Sequence, residues 1–189
     1  MRECGSKGVW ELPEGWEWHA LGEVCEINPR KPSLERDEKA PTSFVPMAAL
    51  DEEQGAITDM QIRPYEEVKR GYTYFEEGDV LFAKITPCME NGKAAIARDL
   101  LDGIGFGSTE FHRLRPRNQV TPEWIHLFVR QQSFRDEAAS HFRGSVGQQR
   151  VPKEFLANHL IPVPPTIEEQ RRIVARIEDL FARSAEARR

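Results

Sequence analysis

The sequence predicts an α+β fold in which a small, twisted and mostly antiparallel sheet packs against helices, with a long coiled-coil-type helix at the C-terminus. Three observations support this prediction. Short β-rich apolar runs separated by turn residues occupy the first two thirds of the chain. Amphipathic helical patterns follow, and the last of them begins at Thr166 and continues to the final residue. The expected division is residues 1–165 for a globular head and residues 166–189 for the helix.

The strand predictions rest on apolar runs bounded by turn residues. Residues 80–85 form such a run and predict a core strand. The Asn91-Gly92 dipeptide favours a tight hairpin because both residues tolerate a positive φ, so residues 93–97 would be the partner strand. Residues 44–47 predict another strand, whose proline belongs at a sheet edge or a strand end. Residues 103–107 predict a glycine-rich loop, followed by a strand at 109–114.

Two helices are expected between these strands and the final helix. Thr121 supplies an N-cap directly before a proline, and residues 122–140 are predicted to form one amphipathic helix. A shorter helix should follow Pro152, with Phe155 and Leu156 facing inward.

The final helix is expected to project from the head and to pair with another helix. Residues 160–165 predict a rigid proline-rich spacer before it, and Thr166 with Glu169 forms a capping box at its start. Twenty-four residues span about 36 Å, which is more than a small head covers, and neither glycine nor proline ends the pattern, so a truncated helix is expected. The alternative is an ordinary terminal helix packed on its own domain. The predicted pairing stripe consists of Ile173, Ile177 and Leu180.

The composition indicates a soluble globular domain, with 39% hydrophobic and 30% charged residues. The chain has no run of 18 apolar residues, and its N-terminus lacks the apolar segment of a signal peptide, so a cytoplasmic location without membrane contact is predicted. Cys4, Cys25 and Cys88 are odd in number and lack CxxC spacing. They predict neither a disulfide framework nor a zinc site.

The net charge of -5 argues against simple nucleic-acid binding, but the charge is unevenly distributed. Residues 35–79 hold twelve acids against five Lys or Arg, whereas residues 141–153 hold Arg143, Arg150 and Lys153 with no acid. An acidic chain with one basic face fits this pattern. The alternative is a local charge fluctuation without functional meaning.

The sequence contains no convincing catalytic machinery. It lacks the Asn/Asp-Pro-Pro-aromatic motif of an adenine methyltransferase, a nucleophile elbow and an HExxH metal motif. Asp59 followed by Glu67 and Lys69 fits the acid and acid-x-Lys spacing of a Mg²⁺-dependent nuclease, which remains a weaker alternative. His112 and His126 are expected at the margins of the core. The prediction is that the chain is not itself an enzyme.

Recognition of DNA explains the remaining polar residues better than catalysis does. Arginine forms two hydrogen bonds to guanine, and glutamine or asparagine forms two to adenine. Arg143 and Ser145 are available to bind phosphates. In the segment 144–150, glycines precede polar residues that can form such contacts. A second group of polar residues surrounds the predicted hairpin. The alternative is that Gly147 and its glutamines only cap the following short helix. The predicted DNA-binding residues are Lys84, Thr86, Asn91, Lys93, Arg143, Ser145, Gln148, Gln149, Arg150 and Lys153.

Several motifs together resemble a known family. They are Leu12-Pro-Glu-Gly-Trp-Glu-Trp18, residues 78–86, Gly107-Ser-Thr-Glu-Phe-His112, Gly144-Ser-Val-Gly-Gln-Gln-Arg150 and residues 160–173. Their order and spacing resemble a target-recognition domain in the specificity subunit of type I restriction–modification enzymes, over roughly residues 12–185. Because family members share the glutamine at position 148, the resemblance makes that residue a poor selector of the target.

The resemblance implies a role and partners. Specificity subunits carry two such domains, each reading one half of a bipartite double-stranded DNA site, with antiparallel helices between them. Methyltransferase (M) subunits bring S-adenosylmethionine, and a separate restriction (R) subunit with ATP and Mg²⁺ cuts, so no cofactor is expected on this chain. A second half-subunit or a homodimer through the last helix is the expected pairing. The alternative is a module that docks methyltransferase through its helix and acidic face without reading DNA.

Overall fold

The computed structural model describes residues 11–145 and 147–186, which form an α+β domain with a long final helix. Predictions for Cys4, Val146 and residues 187–189 lie outside this description. The strands are β1 (Glu17–Ala20), β2 (Cys25–Ile27), β3 (Pro41–Val45), β4 (Leu50–Asp51), β5 (Ala56–Ile57), β6 (Gln61–Pro64), β7 (Thr73–Glu76), β8 (Val80–Ala83), β9 (Ala94–Ile96), β10 (Ile104–Gly107), β11 (Phe111–Pro116) and β12 (Leu160–Val163). The helices are α1 (Leu21–Val24), α2 (Tyr65–Val68), α3 (Pro122–Val129), α4 (Gln132–Ser140), α5 (Lys153–Asn158) and α6 (Ile167–Glu186).

Two four-stranded sheets form the centre of the head. Sheet I has the strand order β2-β11-β8-β9, and sheet II has the order β6-β3-β10-β7. All neighbours pair antiparallel except β3 and β10, so the predicted mostly antiparallel sheet is confirmed. Strand β3 lies inside sheet II, so Pro46 follows the end of a strand and does not mark an edge.

Strand β8 shows how the layers are stacked. All four of its residues are buried, as expected for a strand covered on both faces. Phe82 packs in the cluster that joins sheet I to the helices, with its ring 5.8 Å from that of Phe134. Leu81 points the other way and packs with Phe75 of sheet II. The helices, sheet I and sheet II are therefore successive layers.

The predicted pairing around Asn91-Gly92 is confirmed, but the predicted tight turn is wrong. Strands β8 and β9 do pair antiparallel. Their connection runs over residues 84–93, and within it only Gly92 adopts a positive φ, of 85°. The longer loop allows Met89 to fold back into the core, where it is completely buried. Burial of this side chain outweighs the local preference for a two-residue turn.

The predicted glycine-rich loop at 103–107 is mostly a strand. Residues 104–107 form β10 in the middle of sheet II, and the glycines serve close packing. A Cβ on Gly105 would lie 2.4 Å from the Phe75 ring, and one on Gly107 would lie 2.4 Å from the Val45 carbonyl oxygen. The glycines that indicated a loop are therefore needed because neighbouring groups lie too close to this strand for larger side chains.

The helix predicted at 122–140 is two helices, α3 and α4. The chain breaks at Gln131, whose φ of -59° and ψ of 137° are not helical. Phe128 and Phe134 are six residues apart and would point to different sides of a continuous helix. The break brings their rings to 5.5 Å from each other. The predicted N-cap is confirmed, since the Trp124 N–H donates to the Thr121 hydroxyl at 3.1 Å.

The predicted proline-rich spacer is a strand packed on the head. Strand β12 pairs antiparallel with β1, and Pro162 lies opposite Trp18 in a two-stranded sheet whose open edges tolerate proline. The Pro162 carbonyl accepts a hydrogen bond from the Trp124 indole at 3.0 Å. The segment therefore continues the core up to the start of α6.

Helix α6 is covered at its start and open at its end. Half of the predicted capping box is confirmed, since the Glu169 N–H donates to the Thr166 hydroxyl at 3.2 Å. The returning bond to the Thr166 N–H is not formed between these two described residues, and the Glu169 carboxylate accepts from the Trp16 indole at 3.3 Å. Gln170 is fully buried against the head. Leu180 is 50% exposed and Phe181 is 69% exposed. The first half of the helix therefore packs on the head, as the alternative expected, and the second half is exposed; its pairing with another helix stays a prediction.

Candidate nucleic-acid interface

The two predicted DNA-binding loops lie side by side. The Thr86 N–H donates to the Gln149 carbonyl at 3.0 Å, and the Val151 N–H donates to the Lys84 carbonyl at 2.8 Å. Residues far apart in sequence thus share one end of the head, where β8 ends and β11 begins. We call the loop of residues 143–150 the hairpin loop and the loop of residues 84–93 the companion loop.

The hairpin loop is closed by its own backbone. The N–H groups of Arg143 and Arg150 each donate to the other residue's carbonyl, at 3.0 and 2.8 Å. Gly144 has a φ of 116°, and a Cβ there would lie 2.9 Å from the Gln148 carbonyl oxygen, so this close return requires glycine. Ser145 and Gln148 are exposed near the tip. Their side chains are therefore presented to solvent on a folded loop.

Arg150 anchors the hairpin loop to sheet I. Its Nε donates to Glu110 Oε2 at 2.8 Å, and its Nη2 donates to Glu110 Oε1 at 2.9 Å. Its third nitrogen donates to the Gln148 carbonyl at 2.8 Å. Hydrogen bonding from Arg150 holds the pKa of Glu110 below its ordinary value. Arg150 belongs to the predicted DNA-binding set, but its guanidinium is occupied by contacts within the fold.

His112 supplies a second anchor. Its Nε2 lies 2.8 Å from the Val151 carbonyl oxygen, and its Nδ1 lies 2.9 Å from the Asn28 amide nitrogen. Burial lowers the pKa of His112 to about 4, so the ring is neutral near pH 7. A neutral ring that donates from Nε2 and accepts at Nδ1 satisfies both contacts. His112 was expected at the margin of the core, and the structure buries it, with the residue 5% exposed.

Lys93 lies in the companion loop but contacts the fold. Its Nζ donates to the Leu50 carbonyl at 2.7 Å and lies 3.3 Å from a Glu52 carboxylate oxygen. Its ammonium group therefore fastens the β4–β5 hairpin and is less accessible than the sequence suggested.

The other predicted contacts differ in exposure. Arg143 is largely exposed and forms a distant ion pair with Glu154, at 3.9 Å. Lys153 is exposed in the first turn of α5, which begins after Pro152 as predicted. The capping alternative for the glutamines is wrong because Pro152 occupies the cap position of α5. The exposed candidates are Asn91, Arg143, Ser145, Gln148 and Lys153, and the half-buried ones are Lys84, Thr86, Lys93, Gln149 and Arg150.

The nuclease triplet does not form a site. Glu67 is exposed on α2, and Lys69 forms an ion pair with Glu38 at 2.6 Å. Asp59 is exposed in the segment before β6. Among residues 11–145 and 147–186, no group of three or more His, Cys, Asp or Glu side chains is arranged to hold a metal ion. No helix in this part of the chain is long and apolar enough to cross a membrane.

The sequence did not single out Glu110 and His112 as anchors, although both lie in the motif 107–112. The sequence feature that could have indicated this role is that the motif 107–112 and the motif 144–150 both belong to the resemblance to one family. The structure explains the co-occurrence, because Glu110 bonds Arg150 and His112 bonds the adjoining Val151.

A mixed head with an exposed hairpin loop and a partly covered final helix is the architecture of a specificity domain. The family model described as the type I restriction modification DNA specificity domain matches residues 13–188. The chain belongs to this family.

Two curated relatives from Escherichia coli cover nearly all of the chain. The EcoEI specificity subunit is 42% identical over 172 residues, which are 90% of this chain and 29% of the relative. The EcoAI specificity subunit is 41% identical over 174 residues, which are 92% of this chain and 29% of the relative. The chain therefore spans less than a third of the length of these relatives.

Solved structures agree on the fold. A chain from a study of complex assembly in the type I restriction–modification system superposes with a TM-score of 0.76 at 29% identity, covering 95% of this chain and 45% of the other. The HsdS subunit from Thermoanaerobacter tengcongensis gives a TM-score of 0.73 at 30% identity, covering 96% of this chain and 46% of the other. The predicted fold class is confirmed.

Proposed function

We propose that this chain recognises one half of a bipartite target in double-stranded DNA for a type I restriction–modification complex. The observation that carries this proposal is the hairpin loop, which presents Ser145 and Gln148 to solvent and is fixed from behind by Glu110 and His112. A preformed loop loses little conformational entropy on binding. Membership in the specificity-domain family supports the same conclusion.

In this proposal the exposed basic side chains bind phosphates and the loop tip approaches base edges. Arg143 and Lys153 carry charge into solvent beside the hairpin loop, and phosphate contacts of this kind position a protein on DNA without selecting a sequence. Gln149 supplies an amide group that matches the major-groove edge of adenine. Gln148, which family members share, is proposed to contact DNA without selecting the base. The ten residues predicted from the sequence remain the proposed DNA-binding set, with Arg150 and Lys93 acting mainly through loop structure.

The partners follow from the family. Methyltransferase subunits would dock this chain and hold S-adenosylmethionine, while a restriction subunit would hold Mg²⁺ and ATP and cut the DNA. No cofactor is proposed on this chain, and the proposed location is the cytoplasm. The open end of α6, with Leu180 and Phe181 exposed, is proposed to pair with the corresponding helix of a second domain or a second copy. The proposed boundary between head and spacer is at residue 165.

A second candidate is a module that docks methyltransferase and does not read DNA. The partly uncovered apolar stripe of α6 is the observation in its favour. Salt dependence separates the two. A DNA reader releases counterions, so its affinity falls steeply with salt concentration. The test measures fluorescence anisotropy of labelled duplex DNA with the methyltransferase-bound chain over a salt series. Absence of salt-dependent DNA binding beyond that of the methyltransferase alone favours the docking module.

A further inference from the structure

An arginine on the edge strand of sheet II is held in a fixed orientation. The Arg63 guanidinium lies over the Phe44 ring, with 4.1 Å between Cζ and the ring centroid. Its Nε and Nη2 both donate to Gln61 Oε1, at 3.2 and 2.8 Å. Gln61 and Arg63 are two residues apart on β6 and therefore project from the same face of the strand.

The support beneath Arg63 is rigid. Phe44 is 4% exposed and belongs to a buried aromatic cluster. The Tyr72 ring meets it edge-on at 4.8 Å. The register of β6 on β3 places Gln61 opposite Phe44 and Arg63 opposite Thr42, so the strand pairing fixes both backbones. The arginine is thus oriented by stacking and by hydrogen bonding before any ligand arrives.

Arg63 is oriented without a carboxylate partner. Two of the other cations in the acidic segment 35–79 form ion pairs, Arg36 with Asp102 at 2.8 Å and Lys69 with Glu38 at 2.6 Å. Arg63 has no salt bridge to any residue that the structure describes, and its bonding partner is the neutral Gln61 amide. No adjacent carboxylate among the described residues therefore offsets the positive charge of this guanidinium.

Gln61, the first residue of β6, lies near the end of sheet II that adjoins the hairpin loop, and Arg63 lies two residues further along β6, opposite Thr42. Strand β6 starts at Gln61 opposite the last residues of β3, and the ends of β3 and β10 lie together at Val45 and Gly107. The chain then turns through Ser108, whose N–H donates to the Val45 carbonyl at 3.3 Å, and reaches Glu110, the partner of Arg150. The backbone thus connects the end of sheet II where Gln61 lies with the Glu110–Arg150 anchor of the hairpin loop.

The remaining donors of Arg63 match a nucleic-acid base. With Nε and one N–H of Nη2 directed at Gln61, the two N–H groups of Nη1 and the other of Nη2 are left along the end of the guanidinium. Two parallel donors of this kind fit the O6 and N7 acceptors of guanine in the major groove. The groove is wide enough for a paired β-ribbon, and β6 is an exposed sheet edge.

We propose that Arg63, stacked on Phe44 and positioned by Gln61, is a specificity-determining residue that reads a guanine in the DNA target. The proposal rests on the proposed function, because it assigns one base contact within that DNA-binding role. Arg63 makes the contact. Gln61 is a positioning residue that fixes which edge of the guanidinium faces the DNA.

The test selects bound sequences from a pool of randomised DNA duplexes, with the chain assembled with its methyltransferase subunits. Arg63→Lys keeps the positive charge but cannot make the two-point contact. It should reduce the preference for one G·C pair by about 5- to 150-fold and leave other positions unchanged. Gln61→Ala should weaken the preference at that same pair, by less. Arg63→Ala should abolish it.

A matched control is Arg98→Ala, which removes one positive charge near the opposite end of sheet I, where Arg98 pairs with Glu123. It should leave the selected sequence unchanged. Thermal unfolding checks that each variant is folded, and Arg63→Lys, which keeps a long cationic side chain at this position, carries the test if Arg63→Ala is unstable.

The outcomes separate this proposal from the proposed function. A normal wild-type motif that Arg63→Lys and Gln61→Ala both leave unchanged would overturn the guanine contact alone. An equal loss of affinity for every sequence in Arg63→Ala, without a change of preference, would make Arg63 a phosphate contact and also overturn it. If the wild-type complex itself selects no sequence, the proposed function fails as well.

Discussion

Glu110 and Arg150 are forty residues apart and form a two-point ion pair that ties the hairpin loop to the start of β11. The pair joins the two sequence motifs on which the family resemblance depends. Since Arg150 also donates to the Gln148 carbonyl, the same side chain braces the loop from within. The loop therefore owes its shape to a charged contact that lies beside the proposed DNA surface.

The first prediction concerns this pair. Glu110→Ala removes a negative charge, so if Arg150 contacted DNA directly the variant should bind DNA more tightly. If Arg150 instead braces the loop, Glu110→Ala should weaken sequence-specific binding about as much as Arg150→Ala does. We expect the second result, measured by anisotropy with target and non-target duplexes. The exchanged pair Glu110→Arg with Arg150→Glu should restore part of the specificity. Tighter binding by Glu110→Ala would assign Arg150 to the DNA.

The second prediction separates phosphate contacts from structural cations. Arg143→Ala and Lys153→Ala should weaken binding to all DNA sequences alike and lower the salt dependence by about one counterion each. Both residues are exposed, so the free energy of unfolding should change by no more than about 0.5 kcal/mol. Lys93→Ala leaves the Leu50 carbonyl without its donor and should cost about 1–2 kcal/mol. Urea unfolding and DNA titration distinguish the groups. An unstable Arg143→Ala or a fully stable Lys93→Ala would contradict the assignment.

The third prediction concerns pH. The pKa of His112 is about 4 in the folded chain and 6.5 ordinarily, because burial disfavours the imidazolium. As the pH falls, the unfolded chain takes up this proton first. The stability linked to His112 is therefore complete above about pH 6.5 and is lost progressively towards pH 4.

His112→Gln removes this proton uptake, so its free energy of unfolding should fall less steeply with pH over the same range. His126 also has a pKa of about 4, lowered by burial, and His126→Gln is the matched comparison. Each variant should remove part of the slope, and the double variant should remove more. Urea titrations at successive pH values provide the measurement. Identical slopes in wild type and both variants would mean that neither ring stays neutral in the fold.

The fourth prediction concerns the open end of α6. Leu180→Glu with Phe181→Glu places carboxylates on the uncovered stripe, and burying them against a partner helix would be costly. We expect loss of self-association in light scattering and weaker capture of methyltransferase subunits, with unchanged thermal stability. Ile177→Glu should act in the same direction with some loss of stability, because Ile177 is half-buried. Ala175→Glu, on the opposite side of the helix, is the control. Equal association in every variant would remove the stripe from the interface.

Local sequence patterns predicted most of the fold, because caps, turns and apolar runs act over a few residues. The Thr121 cap, the β8–β9 pair and α5 are examples. The failures came from tertiary packing. The glycines of β10 indicated a loop, although they are needed for the approach of Phe75 and Val45. The crowding that selects them is created by other strands and is not visible locally.

The candidate site was predicted as two loops, and the structure places them together. The sequence could not predict which residue each charged side chain contacts. Arg150 and Lys93 look like free cations in their segments, yet each bonds a residue at least forty positions away. Arg63 shows the reverse case. It lies in an acidic segment and bonds no acid among the described residues.

The central claim is that this chain gives a methyltransferase its DNA sequence preference, and mapping methylated adenines tests it most directly. The chain is co-expressed with its methyltransferase subunits, and genomic DNA is read by single-molecule sequencing. The account predicts one defined half-site in every methylated target, and a changed or relaxed half-site when Gln149 is replaced by alanine. Methylation without sequence preference, or the same half-site when this chain is absent, would contradict the account.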